Sequence, residues 1–81
     1  MSKRDKLIAR FLSRPKDFTY AELITVMGNY GFKEEQGAGS RAWFVNDAGI
    51  VFNLHRPHGK KPLKDYQIRD ARTALKNAGQ I

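Results

Sequence analysis

The side chains that could do chemistry are concentrated in two short segments of this 81-residue chain. Residues 37–46 combine a glycine–serine turn with a strand pattern, and residues 50–61 contain both histidines. Imidazole exchanges protons near neutral pH, whereas arginine and lysine stay cationic and bind phosphate. These two segments therefore hold nearly every group that could contact a phosphate, a ribose hydroxyl or a proton.

Several residues in these segments are candidates for contact with a substrate or a partner. His55 and His58 are candidates for proton transfer, and Arg41 for a two-point contact with phosphate. Trp43 could stack on a base or anchor a protein partner, or it could pack under an N-terminal helix. Further groups that could bind phosphate lie in the turn and in the basic loop: Ser40, Arg56, Lys60 and Lys61. The alternative for each histidine and cation is an exposed side chain with no ligand.

Charge is the strongest feature of the composition, with a net charge of +7 and an isoelectric point of about 10.1. Residues 1–17 carry six Lys or Arg against two Asp, and residues 55–81 carry seven against two. Residues 18–54, by contrast, carry two Lys or Arg against four acids. Nucleic acid is the first partner that this distribution predicts. The alternatives are a solvated basic surface and a basic face that meets an acidic protein.

The composition also excludes several classes of function. The chain has no cysteine, so a disulfide framework or a thiolate metal site is impossible. The sequence contains no apolar run of membrane-spanning length, no signal-peptide core, no nucleotide-binding glycine loop and no Ser-His-Asp arrangement. We therefore expect a cytoplasmic protein with no metal, no cofactor and no membrane partner.

Apolar periodicity and capping signals predict two helices in the first third of the chain. The first spans residues 2–13 and begins at Ser2. Its apolar stripe, which we expect to face the core, is Leu7, Ile8, Phe11 and Leu12. The second spans residues 19–30, because Thr19 and Glu22 have the spacing of a capping box.

The middle of the chain predicts three antiparallel strands, at residues 32–36, 40–46 and 50–55. Alternation places five apolar side chains toward a core: Ala42, Phe44, Ile50, Phe52 and Leu54. The opposite, open face of the sheet would then carry Arg41, Trp43, Asn53 and His55. The glycines at 37 and 39 are typical of a turn, and the Glu34-Glu35 pair is interpreted as a solvated strand edge.

A final helix is predicted to begin at Leu63 or Asp65. The whole chain is therefore expected to be an α+β fold, with a three-stranded antiparallel sheet and helices on one face. This α-β-β-β-α order is that of double-stranded-RNA-binding domains, with the N-terminal helix as an addition. We predict one domain over residues 1–81, in which residues 1–17 are a basic helical extension and residues 18–81 are the core.

Five short motifs follow one another along residues 19–79. They are a helix that ends in Tyr-Gly-Phe, a Gly-Ser-Arg-Ala-Trp-Phe strand, an Asp-Ala-Gly turn, an Ile-Val-Phe-Asn-Leu-His strand and a final LKDYQIRDARTALKNAG segment. In order and spacing they resemble the HicA toxin family. The resemblance implies a small basic endoribonuclease that cuts messenger RNA (an mRNA interferase) and is neutralised by a HicB antitoxin. The family's Val-His and Leu-Lys pairs match Leu54-His55 and Leu63-Lys64, which adds Lys64 to the candidate phosphate ligands.

One position departs from the family pattern. The family carries Gly-Ser-His at the start of its second strand, and that histidine is held to be catalytic, whereas this chain has Gly39-Ser40-Arg41. Arginine stays charged near neutral pH and cannot act as a general base. RNA cleavage without a metal needs a base, an acid and cations, so His55, and with it His58, would supply the proton transfers. The alternative is a non-catalytic RNA-binding module, or a domain that only binds an antitoxin or another protein.

Overall fold

Three helices and three strands make up the fold. The computed structural model describes the backbone of residues 3–81 and the side chains of residues 5–81. The elements are α1 (Lys3–Leu12), α2 (Tyr20–Asn29), β1 (Lys33–Gln36), β2 (Arg41–Val45), β3 (Val51–His55) and α3 (Asp65–Asn77). Ser2, the predicted start of the first helix, lies outside the described residues. The predicted α+β class and the order of the elements are confirmed.

The sheet is antiparallel, and its strands lie side by side in the order β1-β2-β3. Because side chains alternate along a strand, one face of β2 and β3 is buried and the other is open. The buried face consists of Ala42, Phe44, Phe52 and Leu54, as predicted. Phe44 and Phe52 lie directly opposite each other and stack with their ring centroids 6.1 Å apart.

Helix α2 is held at both ends by local signals that the sequence contains. The Glu22 backbone N–H donates to the Thr19 hydroxyl, and the Thr19 N–H donates to the Glu22 carboxylate, which completes the predicted capping box. At the other end Gly31 adopts a φ of 85°, which favours glycine, and the Phe32 N–H donates to the Met27 carbonyl. The chain is thereby turned from α2 directly into β1.

Helix α1 contributes to the same core as the rest of the chain. Phe11 is fully buried, and its ring centroid lies 5.6 Å from that of Phe18. Arg10 donates to the carboxylates of Glu22 and Asp17, at 2.6 and 2.7 Å. Of the predicted apolar stripe, Leu7 and Ile8 are half-buried. The expectation for Leu12 is wrong, because at the last turn of the helix its side chain is 37% exposed.

Helix α3 begins at Asp65, the second of the two predicted starts. The preceding Leu63 is buried, and its N–H donates to the Phe18 carbonyl at 2.8 Å. The helix buries one apolar face, made of Ile68, Ala71, Ala74 and Leu75. No helix in residues 3–81 is long and apolar enough to cross a membrane.

The interpretation of the Glu34-Glu35 pair as a solvated edge is wrong for Glu34. Glu34 is paired with Phe44 in the sheet register, so its side chain lies on the helix side and is half-buried. Its carboxylate accepts hydrogen bonds from the Tyr20 hydroxyl and from Gln36. Glu35, on the other face, is exposed as expected.

Candidate functional site

The open face of the sheet brings two predicted site residues directly opposite each other. The strand register pairs Arg41 with His55. The Arg56 N–H donates to the Ser40 carbonyl at 2.7 Å, one position further along the ladder. Hydrogen-bonded and non-hydrogen-bonded pairs alternate in an antiparallel ladder, so Arg41 and His55 form a non-hydrogen-bonded pair. In such pairs the α-carbons are only about 4.5 Å apart and the side chains approach most closely.

His55 is exposed at the end of β3 and borders two depressions of the surface. Its Nδ1 lies 3.4 Å from the Ser40 hydroxyl, at the long limit of a hydrogen bond. This contact uses Nδ1 and does not involve the second ring nitrogen, Nε2. The first depression, of about 210 Å³, lies on the open face between His55, Arg41 and Asn53. The second, of about 380 Å³, is a cleft at the end of the strand.

This second depression, the His55 cleft, gathers most of the predicted site residues. It lies between the ends of β2 and β3, the loop after β3 and the start of α3. The predicted residues that line it are Ser40, His55, Arg56, His58, Lys61 and Lys64. His58 is exposed three residues beyond His55, across Pro57. Lys60 lines a neighbouring, larger cleft instead, and Arg41 lies on the open face outside the His55 cleft.

Arg56 was predicted to bind phosphate, but its side chain also makes two hydrogen bonds within the protein. One guanidinium nitrogen, Nη2, donates to the Gly39 carbonyl at 2.6 Å, and Nη1 donates to Gln36 Oε1 at 3.2 Å. The side chain thereby ties the end of β3 to the turn between β1 and β2. In this arrangement its donors hold the wall of the cleft together.

Trp43 lies on the open face of the sheet, where it is half-buried. The helices pack on the opposite face, which carries Phe44, so of the two alternatives for Trp43 the one that places it under the N-terminal helix is wrong. Its ring lies across the backbone of Gly37: a Cβ at Gly37 would be 2.9 Å from a ring carbon. Gly37 is therefore required for this packing, whereas Gly39, with a φ of 64°, serves the turn.

Two contacts near the site were missed by sequence reasoning. The Gln67 amide is buried; it donates to the His55 carbonyl at 2.9 Å and accepts from the Lys64 N–H at 2.9 Å. The sequence does contain a signal for the contact with Lys64. Lys64 is the residue before α3, and Gln67 follows it by three positions, which is the spacing of a capping box. The Tyr20–Glu34 hydrogen bond has no comparable signal, since 14 residues separate its partners.

The burial of Tyr20 and its hydrogen bond to Glu34 raise the pKa of its hydroxyl. Burial raises its pKa well above the usual value, and the hydrogen bond to the Glu34 carboxylate raises it further. Tyr20 is therefore a neutral hydrogen-bond donor at all ordinary pH values.

Within residues 3–81, no group of three or more His, Asp or Glu side chains is placed to hold a metal ion. The titratable groups at the site are instead two histidines among lysines and arginines. A site of this kind can move protons and bind anions.

The fold and the site together define a class: a small basic α+β domain with a histidine-bearing cleft at one end of an open antiparallel sheet. The family model described as "HicA toxin of bacterial toxin-antitoxin" matches residues 20–80. The chain belongs to this family, so it is a toxin of a toxin–antitoxin pair, and an antitoxin partner is implied. Comparison with curated proteins and with solved structures gave no match.

Proposed function

We propose that this HicA-family toxin is an endoribonuclease that cuts messenger RNA in the cytoplasm without a metal ion and is neutralised by a HicB-like antitoxin. The observation that supports the proposal most strongly is the position of His55. It is exposed, it lies opposite Arg41, and it borders a cleft that contains His58, Lys61 and Lys64. A proton-transfer group beside cations is what the reaction requires.

The geometry also supports an explanation for the missing family histidine. Position 41, where the family carries that residue, is directly opposite position 55 in the non-hydrogen-bonded pair. An imidazole on β3 is thereby only about 5 Å from the position on β2 that it would replace. His55 then supplies the imidazole, and Arg41 supplies a cation where the family has its base.

The reaction can be written with residues of the chain alone. His55 Nε2 takes the proton of a ribose 2′-hydroxyl, and the 2′-oxygen attacks the adjacent phosphorus. The bond from phosphorus to the 5′-oxygen breaks, and His58 donates the proton that this oxygen needs. The products are a 2′,3′-cyclic phosphate and a 5′-hydroxyl. Arg41 and Lys61 stabilise the negative charge that builds up on the phosphoryl oxygens during the attack.

A second candidate function is non-catalytic RNA binding, and one observation favours it. Arg41 cannot act as a base, and it occupies the position of the family's catalytic residue. A domain that only docks an acidic protein is the third possibility. RNA binding weakens steeply as the salt concentration rises, so a flat response to salt would contradict both RNA functions.

The decisive variant is His55→Ala, expressed in a bacterial host beside the wild type and Arg41→Ala. We expect the wild type to arrest growth and to cleave messenger RNA, and His55→Ala to abolish both effects because the base is lost. Arg41→Ala should reduce cleavage by about 100-fold or more, since one charge-stabilising donor is removed. RNA integrity and growth are measured together.

Asn53→Ala is the matched control, because Asn53 is exposed on the same face next to the candidate site. It is expected to behave as the wild type. A His55→Ala variant that remains fully toxic would remove His55 from the mechanism. Normal growth and intact RNA with the wild type itself would leave the non-catalytic binding module.

A further inference from the structure

A second cleft, larger than the His55 cleft, adjoins it on the side of α2. It has a volume of about 870 Å³ and is formed by three segments: residues 19–21 at the start of α2, residues 39–40 in the turn before β2, and residues 56–61 after β3. This volume is in the range of pockets that hold small organic ligands. We name it the α2 cleft.

The α2 cleft and the His55 cleft share a wall. Ser40, Arg56, Pro57, His58 and Lys61 line both of them. The hydrogen bonds from Arg56 to Gly39 and Gln36 hold this shared wall against the sheet. If a linear polymer binds with one monomer beside His55, its neighbouring monomer therefore lies at the mouth of the α2 cleft.

The charges of the α2 cleft select an anion. Lys60 and Lys61 line it beside Arg56, whose Nη1 and Nη2 are engaged by Gln36 and Gly39, and none of the described residues that line it is acidic. The nearby carboxylates are already engaged: that of Glu22 by Thr19 and Arg10, and that of Glu34 by Tyr20. The start of α2 is closed by its own capping box, so the attraction for an anion comes from the basic loop.

The remaining lining is suited to a flat, uncharged ring. Tyr20 and Pro57, which carry rings, are among the lining residues, and Ala21 adds a small exposed side chain. Gly39 and Gly59 have no side chain, and nothing lies within 4 Å of where a Cβ would be at either residue. Aromatic surfaces next to cations are the features by which proteins hold unpaired bases and their phosphates. A base inside a concave cleft must be unpaired, so the ligand is single-stranded.

We propose that the α2 cleft binds the nucleotide next to the scissile phosphate of single-stranded RNA. This subsite rests on the proposed function, because it takes His55 as the point of cleavage. In this arrangement Lys60 and Lys61 contact the backbone phosphate, and the base lies between the loop and the first turn of α2. The His55 cleft then carries the chemistry, and the α2 cleft carries much of the binding.

Ala21→Glu tests the subsite, because it puts both bulk and a negative charge into the cleft from the first turn of a helix, where glutamate is tolerated. Ala9→Glu is the matched control: Ala9 is also exposed on a helix, does not line the cleft, and changes the net charge equally. The probe is a fluorescein-labelled single-stranded 2′-O-methyl RNA 12-mer of mixed sequence, which has no 2′-hydroxyl to cleave. Binding is followed by fluorescence anisotropy, and circular dichroism verifies the fold of each variant.

We expect Ala21→Glu to weaken binding by about ten-fold or more, the loss typical of one stacked base, and Ala9→Glu to weaken it by less than about three-fold. Equal effects of the two glutamates would overturn the subsite. So would an Ala21→Glu variant that loses antitoxin binding and retains RNA binding, since the cleft would then belong to the protein partner.

The same measurements separate the subsite from the proposed nuclease. Cleavage of ordinary RNA by the wild type with no difference between Ala21→Glu and Ala9→Glu in probe binding would leave the nuclease and remove the subsite. Probe binding that Ala21→Glu impairs, without any cleavage of ordinary RNA, would retain the subsite in a binding module and remove the nuclease. A wild type that neither binds nor cleaves would overturn both.

Discussion

Gln67 links the candidate catalytic histidine to the helix that follows it. Its amide is the buried polar side chain among the described residues, and it satisfies the His55 carbonyl and the Lys64 N–H at the same time. The outer edge of β3 would otherwise leave that carbonyl without a strand partner. A buried backbone group without a partner costs about 1–3 kcal/mol, so this one amide fixes the end of β3 relative to α3.

Trp43 offers a direct test of the open face at the scale of one residue. Gly37→Ala should displace the ring, because the new Cβ would be 2.9 Å from a ring carbon. The sequence contains a single tryptophan, so its fluorescence reports this position alone. We expect a red-shifted emission and a loss of stability of about 1–3 kcal/mol, the usual cost of overpacking.

Gly28→Ala is the control for that substitution. Gly28 is exposed within α2, and nothing lies within 4 Å of its would-be Cβ. Alanine there should leave the emission unchanged and stabilise the protein by about 0.5–1 kcal/mol, as alanine does relative to glycine in a helix. An emission spectrum of Gly37→Ala identical to the wild type would show that the ring does not rest on this backbone.

At the scale of elements, α1 is the helix whose role the sequence left open. The family match begins at residue 20, after α1 has ended. The structure nonetheless buries Phe11 against Phe18, and Arg10 lies over the Phe18 ring with its guanidinium carbon 5.2 Å from the ring centroid. The first helix is therefore part of the core, although it lies outside the part of the chain that the family shares.

Truncation of one side chain measures how much α1 contributes. Phe11→Ala should lower the free energy of unfolding by about 3–5 kcal/mol, because it leaves a cavity in the core. Leu12→Ala is the control on the same helix, since Leu12 is 37% exposed and should cost much less. Urea unfolding followed by circular dichroism gives both values. If both variants lost the same small amount of unfolding free energy, α1 would not contribute to the core.

The link between α1 and α2 should also make stability depend on pH. Burial raises the pKa of Glu22, but the opposing hydrogen bonds from Thr19 and Arg10 outweigh it, so the net pKa is below its ordinary value of 4.5. A lowered pKa in the folded state adds stability above the unfolded value, and this stability is lost as the pH falls through the folded value. We expect the free energy of unfolding to decrease as the pH falls below about 4.5.

Urea unfolding of the wild type and of Glu22→Gln across pH 3–7 checks this dependence. The variant should be less stable than the wild type at neutral pH and should converge with it in acid. Glu35→Gln, at an exposed position on β1, serves as the control and should follow the wild type. Parallel curves for the wild type and Glu22→Gln would contradict the assignment.

The elements were predictable because their signals are local. The Thr19–Glu22 capping box and the alternation of Ala42 and Phe44 determine α2 and the buried face of β2 from neighbouring residues alone. The presence of Arg41 and His55 on one open face also followed from the alternation of side chains, whereas their direct pairing is seen only in the strand register. The Tyr20–Glu34 hydrogen bond was not predictable, because it depends on how α2 packs on the sheet.

The candidate site was predictable only in part, for the same reason. Residue types indicated which side chains could meet phosphate, and the structure gathers most of them around one cleft. Sequence reasoning could not show that Arg56 is engaged by Gly39 and Gln36, or that Gln67 is buried. Whether a cation is free for a ligand depends on contacts between distant segments.

At the scale of the whole molecule, the positive charge around the two clefts comes mainly from the loop after β3. The basic loop after β3 lines both clefts, and Arg14, which follows α1, forms an ion pair with Asp65 at the start of α3. The central, acidic part of the sequence provides α2 and the sheet instead. Among the described residues, the cations that line the two clefts come from the loop after β3 and from Lys64, which precedes α3.

The strand order β1-β2-β3 has a consequence for the timing of toxicity. Every strand pairing joins strands that are consecutive in the chain, and short turns connect them. Such strand pairings close only short loops, and domains of this size and class typically fold within milliseconds to seconds. Synthesis of 81 residues takes several seconds or more at usual elongation rates. Folding is therefore expected to be complete at about the time that synthesis ends. Protection of the cell then requires antitoxin that is already present when the toxin is made.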